Sequence, residues 1–140
     1  MDAAAHDLRE GLRSTNGGLA RPGSQIVVGL LDQVLFEDAS PELTRRGSSA
    51  VATIAAIARR YDRTLLYVTA FTDVTTASGQ SLARERARIV ADSLIAGGVR
   101  RGRIGNRGSS ATRLHLRSGR QISVPGDHRV EIRMWVPARG

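Results

Sequence analysis

Residues 65–96 change from the period of a strand to the period of a helix, and this change constrains the fold more than any other feature. The apolar run at 65–71 predicts a strand that ends at Thr72 and Asp73. A polar loop follows, and we expect a helix over about 81–96, stopped by two glycines. A strand joined to an amphipathic helix is a building block of layered domains of helices and sheet.

One charged side chain lies in the apolar stripe of this predicted helix. At about 100° per residue, Arg86 falls roughly 40° from Leu82, whereas the other charges of the helix lie on the opposite face. A buried guanidinium needs an anion, and Asp73 at the end of the preceding strand is the nearest candidate. Two interpretations remain open: Arg86 and Asp73 form a structural ion pair, or they flank a site for a small zwitterion.

Composition excludes several classes of site. The chain of 140 residues is long enough for a single domain with its own core, and it has no cysteine for disulfides or thiolate metal sites. His6, His115 and His128 are not spaced as metal ligands, so we expect no metal and no cofactor. Neither a nucleophile elbow nor a phosphate-binding loop is present, and we expect no enzymatic activity.

Positive charge is concentrated in the last third of the chain. Residues 1–92 contain 11 Arg and 11 acidic residues, whereas residues 93–140 contain 10 Arg and 2 acidic residues. We therefore expect a basic face over residues 100–120, which suits an anionic polymer, an anionic lipid surface or simply solvent. Nucleic acid is the weaker alternative, because few aromatic residues are available to stack on bases.

The remaining segments predict a β-α-β-α-β-β order and an α+β fold, a small mixed sheet with two helices on one face. They are a broken strand or hairpin-like pair at 26–36, a helix from Thr44 to Arg60, a short strand at 103–106, a small hairpin or ordered loop at 114–124 and a clearly alternating strand at 129–136.

Domain boundaries follow from composition. Residues 1–24 contain a possible helical turn and then a run rich in Gly, Ser and Pro, so we expect a flexible linker there. The domain is expected over 25–136, with a tail over 137–140. No apolar run is long enough to cross a bilayer and no secretory signal is recognised, so membrane association is expected only through an anchor upstream.

Five spaced motifs give the chain a family resemblance. In chain order they are the segment 26–44 with Phe36-x-x-x-Ser40, the strand end Val68-Thr69-Ala70-Phe71-Thr72-Asp73, the helix start Leu82-Ala83-Arg84-Glu85-Arg86-Ala87, the segment from Gly98 to Gly108, and Asp127-His128-Arg129-Val130-Glu131-Ile132. Together they resemble the OmpA-like domain, the peptidoglycan-binding module of outer-membrane protein A, peptidoglycan-associated lipoproteins and flagellar stator proteins. The resemblance covers residues 25–136.

The resemblance implies an OmpA-like sandwich that binds the diaminopimelate of the peptidoglycan stem peptide and anchors an envelope protein in the periplasm. It assigns this binding to Asp73 and Arg86, together with Thr72. The carried-over residues of the first turn and the last strand are Phe36, Asp38, Ala39 and Arg129. It implies no cofactor and no covalent step.

Four features depart from the family pattern. The Arg-rich segment 109–126 replaces a connection that is usually more acidic or neutral. Phe71 stands where the family has His, Gly79 stands where it has Asn, and the loop from Asp73 to Leu82 is shorter. Some domains of this type serve as structural parts of envelope or secretion complexes without binding the wall. The alternative function is therefore a protein-interaction module that docks other envelope proteins through the basic face of residues 100–120.

Overall fold

The computed structural model describes residues 1–15, 17–72, 76–109, 113–115, 121–123 and 129–138. Its helices are α1 (Asp2–Gly11), α2 (Asp32–Leu35), α3 (Arg45–Arg60) and α4 (Ala77–Ala96), and its strands are β1 (Gly18–Ala20), β2 (Ile26–Leu31), β3 (Leu65–Phe71), β4 (Ile104–Ser109), β5 (Arg113–His115), β6 (Gln121–Ser123) and β7 (Arg129–Trp135). Short 3-10 turns lie at Arg13–Thr15 and Arg101–Arg103.

Five strands form one mixed sheet in the order β1-β2-β7-β3-β4. Strand β7 pairs antiparallel with both β2 and β3, whereas β3 and β4 run parallel and are connected through α4. In β7, Val130, Ile132 and Met134 are buried and the intervening residues are partly exposed. The predicted alternation is thus confirmed, except that Val136 lies beyond the strand and is 50% exposed.

The helices pack in a row beside this sheet. Helix α4 lies against β3 and β4, α3 packs against α4, and α1 packs against α3. Buried side chains of all three helices join those of the central strands in one hydrophobic core. The predicted α+β class and mixed sheet are confirmed, and the hairpin predicted over 114–124 corresponds to the antiparallel pair of β5 and β6.

The N-terminal segment differs from the linker predicted over 1–24. Helix α1 buries Ala4, Ala5 and Leu8 in the core, and β1 extends the sheet by pairing with β2. The linker interpretation is wrong for these two elements. It rested on the Gly- and Ser-rich run between them and did not assign the apolar residues of α1 to the core. The domain boundary at 136 stays a prediction.

A polar contact adds to this packing. The Tyr61 hydroxyl at the end of α3 donates a hydrogen bond to the Asp7 carboxylate of α1 over 2.7 Å. This bond raises the pKa of Tyr61 from its ordinary value, with smaller contributions from burial and from the negative charge of Asp7. The contact links the two helices at the surface of the core.

Two predicted element boundaries were wrong. The segment 26–36 is a strand followed by the single helical turn α2, not a strand pair. Helix α4 begins at Ala77 and not at about Ser81, because the Thr76 hydroxyl caps the helix by accepting a hydrogen bond from the Gly79 amide over 3.2 Å. This cap outweighs the low helix propensity of Gly79.

Arg103 was predicted in a strand and on the basic face, but it is 9% exposed and lies in the 3-10 turn before β4. Its guanidinium donates to the carbonyls of Ala58, Tyr61 and Thr64 at 2.8–3.1 Å, and to the Thr64 hydroxyl. These carbonyls lie at or just beyond the C-terminus of α3, where a cation is favoured by the helix dipole. Burial lowers the pKa of Arg103. This arginine is structural and not part of an exposed face.

Candidate ligand-binding site

The loop between α2 and α3 forms one wall of a pocket. Phe36 and Leu43 pair across the base of the loop, and the Glu37 amide donates to the Glu42 carbonyl over 2.9 Å. Ala39 has a φ of 51°, in the left-handed region that residues other than glycine seldom adopt. The hydrogen bonds at the base hold the chain in this turn.

Hydrogen bonds between the start of α3 and the end of α2 also hold this loop in place. The Thr44 amide donates to the Leu35 carbonyl over 2.8 Å, and the Thr44 hydroxyl donates to the Val34 carbonyl over 2.6 Å. Gly47 lies so close to α2 that a Cβ atom there would be 2.2 Å from the Leu35 carbonyl oxygen. Any side chain at position 47 would therefore push α3 away from the loop.

Arg86 of α4 reaches across the pocket to this loop. Its Nε donates to the Ser40 carbonyl over 2.9 Å, and its Nη1 donates to Oδ2 of Asp32 over 3.0 Å. Its guanidinium carbon lies 4.8 Å from the centroid of the Phe36 ring. The Arg86 and Asp32 side chains are only 13% and 10% exposed. The guanidinium is therefore held in one orientation by Ser40, Asp32 and the Phe36 ring.

The anion that Arg86 contacts here is Asp32, which the sequence analysis missed. Asp73, the expected partner, lies outside the described residues, so the two interpretations of the Arg86 and Asp73 pair stay predictions. A signal for Asp32 was present in the sequence, since it is an acidic residue set between the apolar runs of 26–31 and 34–36. Buried acids of this kind are usually paired.

The pocket has a volume of about 450 Å³. The described residues that line it are Asp32, Gln33, Phe36, Glu37, Asp38, Ala39, Phe71, Thr72, Gly79, Leu82, Ala83 and Arg86. Five residues carried over from the family resemblance are thus brought together, namely Phe36, Asp38, Ala39, Thr72 and Arg86. Sequence reasoning missed Asp32 and assigned no contact to Gln33, Glu37 or Ala83.

Arg129 is not among the residues that line the pocket, although it was predicted to be part of the site. Its guanidinium carbon lies 4.7 Å from the centroid of Phe71, which does line the pocket, and it pairs with Glu131 over 3.1 Å. Phe71 occupies the position where the family has His. Arg129 therefore supports a pocket wall through this aromatic ring.

The pocket combines one oriented cation with an acidic and apolar rim. Asp38 and Glu37 are exposed at its mouth, while Phe36 and Thr72 are buried in its wall. Within the described ranges, no group of three or more carboxylate or histidine side chains is arranged to hold a metal ion. None of the described helices has the length and hydropathy that a membrane span requires. The site is suited to a small polar ligand with both charges.

A pocket of this kind, set between the first loop and a crossover helix of an α+β sheet, is a candidate site for a small ligand. The OmpA family matches residues 35–121, and the chain belongs to the OmpA family. The resemblance seen in the sequence is therefore confirmed.

Comparison with individual proteins agrees with this assignment. The chain is 30% identical to "Probable lipoprotein YiaD" of Escherichia coli K12 over 110 residues, which are 77% of this chain and 50% of that protein. The chain thus spans half the length of this relative.

Two solved structures share the fold. A putative MotB-like protein from Desulfovibrio vulgaris has a TM-score of 0.76 at 16% identity, covering 97% of this chain and 94% of that one. The cell wall anchor of the T6SS from Pseudomonas aeruginosa has a TM-score of 0.70 at 21% identity, covering 96% of this chain and 97% of that one. At these identities the likeness establishes the fold alone.

Proposed function

We propose that the pocket binds the diaminopimelate residue of peptidoglycan stem peptides, without a covalent step, and so attaches a cell-envelope protein to the wall. The observation that carries this proposal is that the Arg86 guanidinium is held in place and still has a free hydrogen-bond donor among the described residues. Its guanidinium is held by Asp32 and Ser40 and lines the pocket, and its Nη2 donates no hydrogen bond to any residue that the structure describes. A ligand carboxylate would meet a donor that is already oriented.

The chemistry of the ligand matches both signs of charge at the site. The side chain of diaminopimelate ends in an ammonium group and a carboxylate on the same carbon. In this proposal the carboxylate binds Arg86, and the ammonium is bound by Asp73, as the family resemblance assigns, with Asp38 nearby on the rim. A volume of about 450 Å³ suits such a residue with part of its peptide.

The relatives support an envelope location and a role in anchoring. One is described as a cell wall anchor and another as a probable lipoprotein. We therefore propose that the domain acts in the periplasm or cell envelope, and that it binds its ligand without catalysing a reaction.

The test is calorimetric titration with two soluble monomeric muropeptides that differ at one residue. One contains diaminopimelate, and the other contains lysine, which lacks the side-chain carboxylate. We expect tighter binding of the diaminopimelate form. Arg86→Gln should raise the dissociation constant of the diaminopimelate form about 10- to 100-fold, because a hydrogen bond to a charged group contributes about 1.5–3 kcal/mol. Binding of the lysine form should change little.

Two further variants serve as a charge control and as a second test of the site. Arg45→Gln removes the same charge from an exposed position of α3 and should leave both affinities unchanged. Asp38→Asn removes a negative charge from the exposed rim near the ligand ammonium and should weaken both forms, because lysine keeps that ammonium group. If the wild-type domain does not distinguish the two muropeptides, or Arg86→Gln binds as wild type, the proposal is wrong and the protein-interaction module becomes the better assignment.

A further inference from the structure

A second concavity lies on the other side of the N-terminal half of α4, between this helix and the edge strand β4. Its volume is about 520 Å³, and it is lined by Ser81, Arg84, Glu85, Arg88, Asn106, Arg107 and Gly108. We call it the α4–β4 groove. Gly108 brings the two elements together, since a Cβ atom there would be 2.5 Å from the Arg84 amide nitrogen.

Three arginines line the α4–β4 groove. Arg84, Arg88 and Arg107 are exposed, and within the described residues none of them makes a hydrogen bond or an ion pair. By contrast, Arg60 and Arg129 each pair with a carboxylate. The groove therefore presents three guanidinium groups that pair with no carboxylate in the described part of the chain.

Its position relates the groove to the pocket. Arg84 and Arg86 are two residues apart in α4, so their side chains point about 200° apart around the helix axis. A helix with its side chains is about 10–12 Å across, so the groove and the pocket lie about one helix diameter apart. A peptide that joins them must run around half the circumference of the helix, about 16–19 Å, which an extended segment of about five to six residues spans.

We propose that the α4–β4 groove binds the carboxylates of a second stem peptide on the same wall polymer whose diaminopimelate occupies the pocket. This inference rests on the proposed function. Guanidinium groups bind carboxylates through two parallel hydrogen bonds, and stem peptides carry several carboxylates. Two contacts on one polymer make the second binding event intramolecular, so cross-linked wall fragments bind more tightly than monomers.

The test compares a monomeric diaminopimelate muropeptide with its cross-linked dimer on the full chain. We expect the wild-type domain to bind the dimer about tenfold more tightly than the monomer, because each exposed charge pair raises the affinity by a factor of about 1.5 to 5. The triple variant Arg84→Gln/Arg88→Gln/Arg107→Gln should lose this preference and keep its affinity for the monomer. The preference should also shrink as salt is raised.

A matched triple variant removes the same charge elsewhere. Arg9, Arg45 and Arg63 are exposed and lie outside the groove, so their substitution by Gln should leave the dimer preference intact. Glu85 is the acidic residue among the described groove residues, and Glu85→Gln should increase the preference for the dimer. An equal loss in both triple variants would show general charge attraction and overturn the assignment.

Further outcomes separate the groove from the pocket. If the wild-type domain fails to bind the monomer, the pocket assignment fails, whereas a dimer preference that depends on the groove arginines supports the groove on its own. If the triple groove variant keeps the full preference, the groove assignment is wrong. It is equally wrong if duplex DNA binds more tightly than the dimer with the same dependence on these arginines.

Discussion

At the scale of single residues, Arg86 and Asp32 show how a charge is kept inside an apolar stripe. The two side chains are 13% and 10% exposed and 3.0 Å apart. Removing one charge leaves the other poorly solvated, so we expect Asp32→Asn and Arg86→Gln each to lower the free energy of unfolding by about 1–3 kcal/mol. The double variant should lose less than the sum, with a coupling of about 0.5–3 kcal/mol in urea denaturation.

The exposed pair of Arg13 and Glu10 is the control for this cycle, since its side chains are 73% and 53% exposed. Its coupling should be at most about 1 kcal/mol. A coupling between Arg86 and Asp32 no larger than that of the surface pair would contradict the structural role assigned here. The sequence predicted that Arg86 is special, because helical periodicity is local. It did not reveal Asp32 as the partner, because that contact joins residues 54 positions apart.

At the scale of elements, the contact between α4 and β4 sets the position of Arg86 and of the groove arginines. Gly108 permits this contact, because a Cβ atom there would be 2.5 Å from the Arg84 nitrogen and 2.8 Å from the Ala83 carbonyl carbon. Both are backbone atoms that cannot rotate away. We therefore expect Gly108→Ala to lower the free energy of unfolding by about 1–3 kcal/mol. It should also weaken muropeptide binding, because α4 must shift.

Gly29 of β2 is the matched control, since the nearest atom to a Cβ there is a carbonyl oxygen 4.0 Å away. Gly29→Ala should be neutral or stabilising by up to about 1 kcal/mol, because glycine is disfavoured inside a strand. Equal effects of the two substitutions would mean that α4 does not depend on this close approach. Sequence patterns predicted α4 and β4 but not the contact between them. Periodicity indicates strands and helices, but it does not indicate how they pack.

At the scale of the whole molecule, the order of the core elements followed from the sequence, but the extent of the domain did not. The alternating strand β7 and the amphipathic helix α3 carry long periodic signals that local reasoning detects. Helix α1 spans ten residues, and its small buried residues Ala4 and Ala5 give little hydrophobic signal. Its place was decided by the α3 surface on which it packs, which composition alone cannot indicate.

Whether α1 is part of the folded domain can be tested at Leu8, which is 1% exposed in the core. Leu8→Ala leaves a cavity against the core and should lower the free energy of unfolding by about 2–5 kcal/mol. His6→Ala is the control, because His6 is exposed on the same helix and alanine favours helix. A linker would tolerate both changes, so urea midpoints for Leu8→Ala and His6→Ala that match the wild type would refute the packed helix. A selective loss for Leu8→Ala would extend the folded domain to the first helix.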